Sequence, residues 1–265
     1  MTPNRFKTLL HQDPARRSIG SWLMSASAAV AEAMGHCGFD FLVIDMEHSP
    51  LDLDGTVAML RALAGTSAEP LVRLPCADQT LVKRVLDAGA ASVMFPFVES
   101  AEQARAAVAC TRYPPLGVRG VAAVHRASRY GRSPEYLRSA NDQIAVVVQL
   151  ETPASIERLG EIAAVPGVDS LFVGPGDLAA ALGHIGELMH EEVQRAIARA
   201  AELARAAGKP IGIVGADPQA LRRYAQYGYT WTAISSDLSL MTGRASEWLA
   251  TLRQSAAPQP ASSAY

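Results

Sequence analysis

The sequence predicts a (β/α)8 barrel in one domain, on two observations. Eight short β-branched or apolar runs alternate strictly with segments of helical period. Strict alternation implies parallel strands joined by right-handed crossovers. Eight such units in about 250 residues fit a closed barrel better than an open doubly wound sheet. The strand candidates are residues 19–24, 41–46, 70–74, 92–98, 144–151, 170–174, 210–215 and 231–236. The helix candidates are 26–36, 52–64, 78–89, 100–111, 153–164, 190–207, 217–227 and 238–253.

Local chemistry marks the boundaries. Thr152 is placed to N-cap a helix whose first residue is Pro153. Gly89, Gly208 and Gly228 follow helical segments and suit left-handed C-caps. Residues 112–140 break the rhythm with Pro114-Pro115, Gly117, Gly120 and many arginines. They read as an elaborated βα connection after the fourth strand, on the active-site side. Residues 255–265 hold Pro, Ala, Ser and Gln without period, and are expected to be a disordered tail to a domain spanning 1–254.

Composition excludes several classes. With 49% hydrophobic and 19% charged residues, the chain has ample material for a core, and is not disordered, collagenous or coiled-coil. A net charge of −2 offers no global basic field for nucleic acid. No run approaches the roughly 18–20 apolar residues of a membrane helix. The segment Met1-Thr-Pro-Asn-Arg-Phe-Lys7 is not followed by an uninterrupted apolar signal core. Cys37, Cys76 and Cys110 lie far apart and form no CxxC pair, which favours a reducing cytoplasm.

A barrel gathers its chemistry at the C-terminal ends of its strands. Strand two ends Asp45-Met-Glu47-His48, strand three ends at Arg73, strand five ends Gln149-Leu-Glu151, and strand six runs into Gly174-Pro-Gly176-Asp177. Glu151 and Asp177 end neighbouring strands, about 4.8 Å apart. Two bare carboxylates there must take up a proton or share a cation. Oxygen ligands with open positions suit Mg²⁺, Mn²⁺ or a similar divalent ion. The alternative makes Asp177 an N-cap and pairs Glu151 with an arginine. Gln149 lies two residues before Glu151 and faces the same way, toward a substrate carboxylate or carbonyl. The backbone N–H groups around Gly176 offer a seat for a carboxylate. His48, a histidine at a strand end, suits a general base. Arg73 either steadies a developing oxyanion or pairs with Asp45 or Glu47.

A Schiff-base mechanism needs a lysine inside the barrel. Lys7 precedes the first strand, Lys83 lies mid-helix, and Lys209 lies before strand seven, at the wrong end. No Gly-x-Ser-x-Gly, Walker A or Gly-x-Gly-x-x-Gly motif occurs. Cys76 follows strand three without an evident paired base.

Five stretches taken together resemble the HpcH/HpaI family. They are Phe39-Asp-Phe-Leu-Val-Ile-Asp-Met-Glu-His-Ser-Pro50, Pro70-Leu-Val-Arg73, Arg112-Tyr-Pro-Pro-Leu-Gly-Val-Arg-Gly120, Gln149-Leu-Glu-Thr152 and Phe172-Val-Gly-Pro-Gly-Asp-Leu178. The resemblance covers roughly residues 17–253 and implies a class II, metal-dependent pyruvate aldolase. By position it implies Glu151 and Asp177 as ligands of Mg²⁺, Mn²⁺ or Co²⁺. It implies Gln149, Asp177 and the backbone of Gly176 around pyruvate. Arg73 matches the group that stabilises the enolate, and His48 the base that works with a metal-bound water. Asp87, in Val85-Leu-Asp-Ala-Gly89, matches the carboxylate that raises the histidine's basicity, with Asp45 as a second candidate. Asp87 ends a helix at the bottom of its own barrel, so the match implies a partner subunit. The family's habit is a homohexamer with the last helix exchanged. Residues 22–28 and 235–237 depart from the family pattern, on the aldehyde side.

The expected reaction is reversible cleavage of a 4-hydroxy-2-oxo acid to pyruvate and an aldehyde. The leading substrate is a 4-hydroxy-2-oxoheptanedioate-type diacid from aromatic breakdown, with a 2-keto-3-deoxy sugar acid as the alternative. A citrate-lyase-like acyl-CoA lyase is less favoured, because only the arginines of 112–138 offer CoA a basic surface. A catalytically silent barrel would not need this set of polar strand ends.

Overall fold

A computed structural model describes residues 3–11 and 17–255. The chain runs α1 (Arg5–Leu10), β1 (Ser18–Leu23), α2 (Ala28–Gly35), β2 (Phe41–Asp45), α3 (Leu53–Leu63), β3 (Glu69–Arg73), α4 (Gln79–Asp87), β4 (Ser92–Phe95) and α5 (Ala101–Thr111). It continues through α6 (Tyr136–Gln143), β5 (Ala145–Leu150), α7 (Pro153–Glu157), α8 (Leu159–Ala163), β6 (Ser170–Val173), α9 (Pro175–Ala181), α10 (Glu191–Ala206), β7 (Ile211–Gly215), α11 (Pro218–Tyr227), β8 (Trp231–Ser236) and α12 (Asp237–Ser255). The eight strands pair in parallel and in sequence order, and β8 closes on β1.

Side-chain alternation divides the core in two. Phe41, Val43, Leu71, Val147, Phe172 and Trp231 fill the barrel interior. Leu42, Ile44, Val72, Val146, Val148 and Leu171 face outward to the helices. Large rings inside the barrel need room from their neighbours. Gly20 pairs with Phe41 and Gly212 with Trp231. A Cβ on either glycine would lie 2.3 Å from the partner's ring. The Trp231 indole N–H is satisfied by Ser170 Oγ at 2.9 Å. From below, α1 plugs the barrel: Phe6 meets Phe41 and Trp231 edge-on at 5.7 and 5.5 Å.

The predicted caps form. Thr152 makes a capping box with Ser155 before Pro153. Gly228 ends α11 at φ 110°. Other expectations need correction. Residues 112–140 are not a βα loop on the active-site side. They lie between α5 and β5, because α5 already completes the fourth βα unit and returns the chain to the bottom of the barrel. There Arg126 donates to the carbonyls of Ala88 and Leu60. The helix expected over 153–164 is two, divided at Arg158. Helices α1, α6 and α9 are additional. The expected tail lies, beyond Ser255, outside the described residues.

Helix α12 leaves the barrel surface after its first turn. Residues 238–253 are all exposed, among them Trp248 at 61% and Leu252 at 66%. No helix among the described residues is long and apolar enough to cross a membrane.

Because the Trp231 ring occupies the space a side chain on Gly212 would take, Gly212→Ala overpacks the interior. It should lower stability by about 1–3 kcal/mol, read from the midpoint of denaturant unfolding.

Candidate active site

The inward parity of each strand continues to its C-terminal end. Val43 leads to Asp45, Leu71 to Arg73, and Val147 to Gln149 and then Glu151. The β2–β3 register sets Asp45 directly beside Arg73. Asp45, wholly buried, receives Arg73 Nε at 2.9 Å and Nη2 at 2.7 Å. Glu47 takes Nη1 of the same guanidinium at 2.8 Å. The guanidinium lies over the Trp22 ring, 4.2 Å from its centroid. Arg73 is therefore fixed in plane and orientation while it lines the mouth cavity.

Glu151 is 1% exposed. One carboxylate oxygen accepts Gln149 Nε2 at 2.8 Å, and the other accepts the Phe97 N–H at 2.9 Å. Its pKa is pushed up to about 8, by burial first, with the nearby charges of Asp177 and Glu47 adding to the rise and the Phe97 hydrogen bond and Arg73 opposing it. Glu47 is also raised, by burial first, with Asp45 and Asp177 adding to it. Gly174 makes the close approach possible: a Cβ there would stand 2.5 Å from Glu151 Oε1. Gln149 Oε1 is buried without a protein partner. Arg73, Gln149, Gly174, Gly176 and Asp177 line one cavity of about 330 Å³ that opens at the barrel mouth. Oxygen-only donors, a carboxylate pair short of positive charge and an open cavity fit a hard divalent cation.

The remaining residues divide. His48 lies at the mouth with its ring 3.9 Å from Glu47 and its side chain 54% exposed. Asp45 touches the backbone N–H of His48, not its ring. Asp87 is at the other end of the barrel, as the last residue of α4. It accepts from Arg119 at 2.6 Å and lies 3.7 Å from His125. Arg119 is fully buried over the Tyr113 ring and hydrogen-bonded to Tyr136. The lysines stay outside: Lys7 and Lys209 bond the carbonyls of Asp142 and Val168. Glu47 and Trp22 belong to the site and were not on the sequence list of site residues. Glu47 was legible as a carboxylate two residues beyond Asp45; the stacking of Trp22 on Arg73 required the barrel.

Fold and site define a barrel enzyme with an oxygen-rich, lysine-free centre. The profile of the HpcH/HpaI aldolase/citrate lyase family matches residues 18–243, and the chain belongs to that family. It is a carbon–carbon lyase. It is 49% identical to the 2-dehydro-3,6-dideoxy-6-sulfogluconate aldolase of Pseudomonas putida, over 93% of this chain and 97% of that one. It is 44% identical to the 5-keto-4-deoxy-D-glucarate aldolase of an Enterobacter strain, over 90% and 92%. The solved structure of a family member from Burkholderia cenocepacia superposes with a TM-score of 0.91 at 42% identity, over 94% of this chain and 99% of that one.

The raised pKa of Glu151 has a definite sign for stability. The folded state holds the proton more tightly than the unfolded chain. The contribution is therefore complete below about pH 4.5 and is lost as pH rises through about 8. Protein freed of divalent ions should melt at progressively lower temperature across that window. Glu151→Gln, which cannot ionise, should flatten the slope. An equally steep slope in that variant would remove Glu151 as its source.

Proposed function

We propose that this protein reversibly cleaves a 2-keto-3-deoxy sugar acid, a 4-hydroxy-2-oxo acid, to pyruvate and an aldehyde. The carrying observation is the buried Glu151, bonded to Gln149 and charge-coupled to Asp177 and Arg73, which line a cavity without lysine. The two named relatives act on sugar-acid derivatives, which supports this substrate class over the heptanedioate diacid of aromatic breakdown.

Glu151 and Asp177 would hold a divalent ion, Mg²⁺, Mn²⁺ or Co²⁺, which when bound polarises the 2-oxo group as a Lewis acid. Gln149 and the backbone of Gly176 orient the pyruvate half. His48 accepts the 4-hydroxyl proton through a water as the C3–C4 bond breaks, so the hydroxyl carbon leaves as the aldehyde. The electron pair of that bond passes into the pyruvate enolate. Arg73 donates to the enolate oxygen as its charge develops, and the enolate carbon then takes a proton.

His48 is too exposed in one chain for a controlled proton transfer, and Asp87 is far from it. Both facts, with the exposed apolar residues of α12, support a homohexamer in which α12 is exchanged and Asp87 serves a partner's His48. The acyl-CoA lyase reading is weaker, because Arg112, Arg119 and Arg126 are turned to protein partners at the bottom of the barrel. Free Cys37, Cys76 and Cys110 support a reducing cytoplasm.

A panel of 4-hydroxy-2-oxo acids, assayed for pyruvate release, tests the reaction. Turnover should vanish with chelator and return with Mn²⁺. Borohydride with pyruvate should trap no lysine adduct; a stable adduct would refute the class.

Arg73→Ala should lower kcat by about 10²–10³ or more and leave metal affinity little changed. Arg73→Lys, which keeps the charge and loses the fork, should recover only part of it. A drop in Tm with kcat intact would make Arg73 purely structural.

His48→Ala and Asp87→Ala should each be nearly inactive alone. Co-expressed, they should regain a statistical share of activity, since some sites then pair an intact His48 with an intact Asp87. No recovery in verified mixed oligomers would place Asp87 outside the site.

A further inference from the structure

The mouth cavity extends beyond the groups assigned to pyruvate. Met24, Leu188 and Val214 give this outer part an apolar wall, and Ser235, Ser236 and Ser239 give it a hydroxyl-bearing one. Ser235 continues the inward parity of Trp231 and Ala233 along β8. Its φ of 45° is a left-handed conformation that glycine adopts more readily. Its hydroxyl has no protein partner among the described residues. A strained, unpartnered hydroxyl facing a cavity is the kind of group that functional sites retain. Ser236 and Ser239 pair their hydroxyls at 3.1 Å, and Ser236 Oγ also accepts the Ser239 N–H.

The charges nearby select what this wall can recognise. Asp237 stands between these serines at the start of α12. Its carboxylate accepts the backbone N–H groups of Met24, Ser25 and Leu238. The positive end of the helix is thus already matched by a carboxylate, which discourages a second anion there. Among the described residues that line the cavity, Arg73 is the one cation, and Asp45 and Glu47 hold it. The outer wall therefore offers hydroxyl-to-hydroxyl hydrogen bonding without a strong field.

We propose that Ser235, backed by the Ser236–Ser239 pair, is the specificity-determining group that recognises the hydroxyl which the proposed sugar-acid substrate places on the carbon next to the aldehyde. The inference rests on the aldolase reading and deepens it. In the bond-forming direction, pyruvate C3 joins the carbonyl carbon, and the next carbon of the aldehyde lies one bond further out along the cavity. A semialdehyde with a bare methylene at that position leaves the serine unmatched, whereas a sugar-derived aldehyde does not.

The test uses the full-length enzyme with Mn²⁺, pyruvate and two uncharged aldehydes of equal length, lactaldehyde and propanal. The expected kcat/KM ratio favours lactaldehyde by about 10²-fold or more, as for sites built to bond a substrate hydroxyl. Ser235→Gly and Ser239→Ala should each lower that ratio by roughly three- to tenfold, the worth of one hydrogen bond. The ratio is taken within one protein, so partial unfolding cancels, and glycine also relieves the backbone at position 235. A wild-type ratio near one, or a ratio unchanged in both variants, overturns the assignment. Exchange of the pyruvate methyl protons by the wild-type enzyme in heavy water separates the two readings. Exchange with a ratio near one removes only the serines. No exchange, with no pyruvate released from any 4-hydroxy-2-oxo acid, removes the aldolase reading itself.

Discussion

Asp45, Glu47, Glu151 and Asp177 are gathered around one guanidinium, that of Arg73, at the mouth of this barrel, and that imbalance governs the site. Two unit charges 4 Å apart interact by about 4 kcal/mol at the effective dielectric of a protein surface. Arg73 therefore satisfies Asp45 and Glu47, which hold it from two sides. Glu151 and Asp177 are left over. The protein alone relieves them by keeping a proton on Glu151, whose pKa stands at about 8. A 2-oxo acid brings a further negative charge and cannot settle there unless positive charge arrives with it. A divalent ion serves both demands at once. Held by Glu151 and Asp177, it would take the place of the Glu151 proton and would give the anion the partner that Arg73, already committed to two carboxylates, supplies only in part.

The same imbalance explains why a lysine inside the barrel is unnecessary. A Schiff-base lysine stabilises a carbanion by withdrawing electrons through nitrogen. In the proposed reaction a divalent ion held by Glu151 and Asp177 would supply that withdrawal, and Arg73 would add directional N–H donors. The stacking on Trp22 packs one face of a guanidinium whose plane Asp45 and Glu47 already set.

Much of this was legible in the sequence because barrel topology converts position into location. Once eight βα units are counted, the residue ending each strand has to face the mouth, and Asp45, Arg73, Gln149 and Glu151 follow from parity, while Asp177 follows from its place in the first turn of the helix after β6. What failed was local. A six-residue plug such as α1 is too short to show a helical period, and its anchor, Phe6, is recognised only by the rings of β2 and β8. The segment 112–140 was misplaced because proline, glycine and arginine mark a loop without telling which end of the barrel it covers. Only the fact that α5 had already closed its unit sets it at the bottom. Glu47 is visible as a possible partner of Arg73, but nothing in the sequence distinguishes an exposed carboxylate after a strand from one drawn onto the guanidinium.

The bottom of the barrel bears on the chemistry through the assembly proposed above. Asp87 is held by Arg119, and Arg119 is itself fixed by burial, by the Tyr113 ring and by the Tyr136 hydroxyl. A carboxylate so paired has much of its charge neutralised before any histidine meets it. In the proposed assembly its effect on a partner's His48 would then be less to raise basicity by bare charge than to fix the tautomer and direction of the ring, since an oriented acceptor needs no net charge for that. His125 fits the same account. Burial pushes its pKa down, so it lies beside Asp87 as a neutral ring and does not compete as a second cation. The elaborated segment 112–140 thus has a physical reason for its size: through Arg119, Tyr136 and His125 it builds a rigid mount for one carboxylate at the bottom of the barrel.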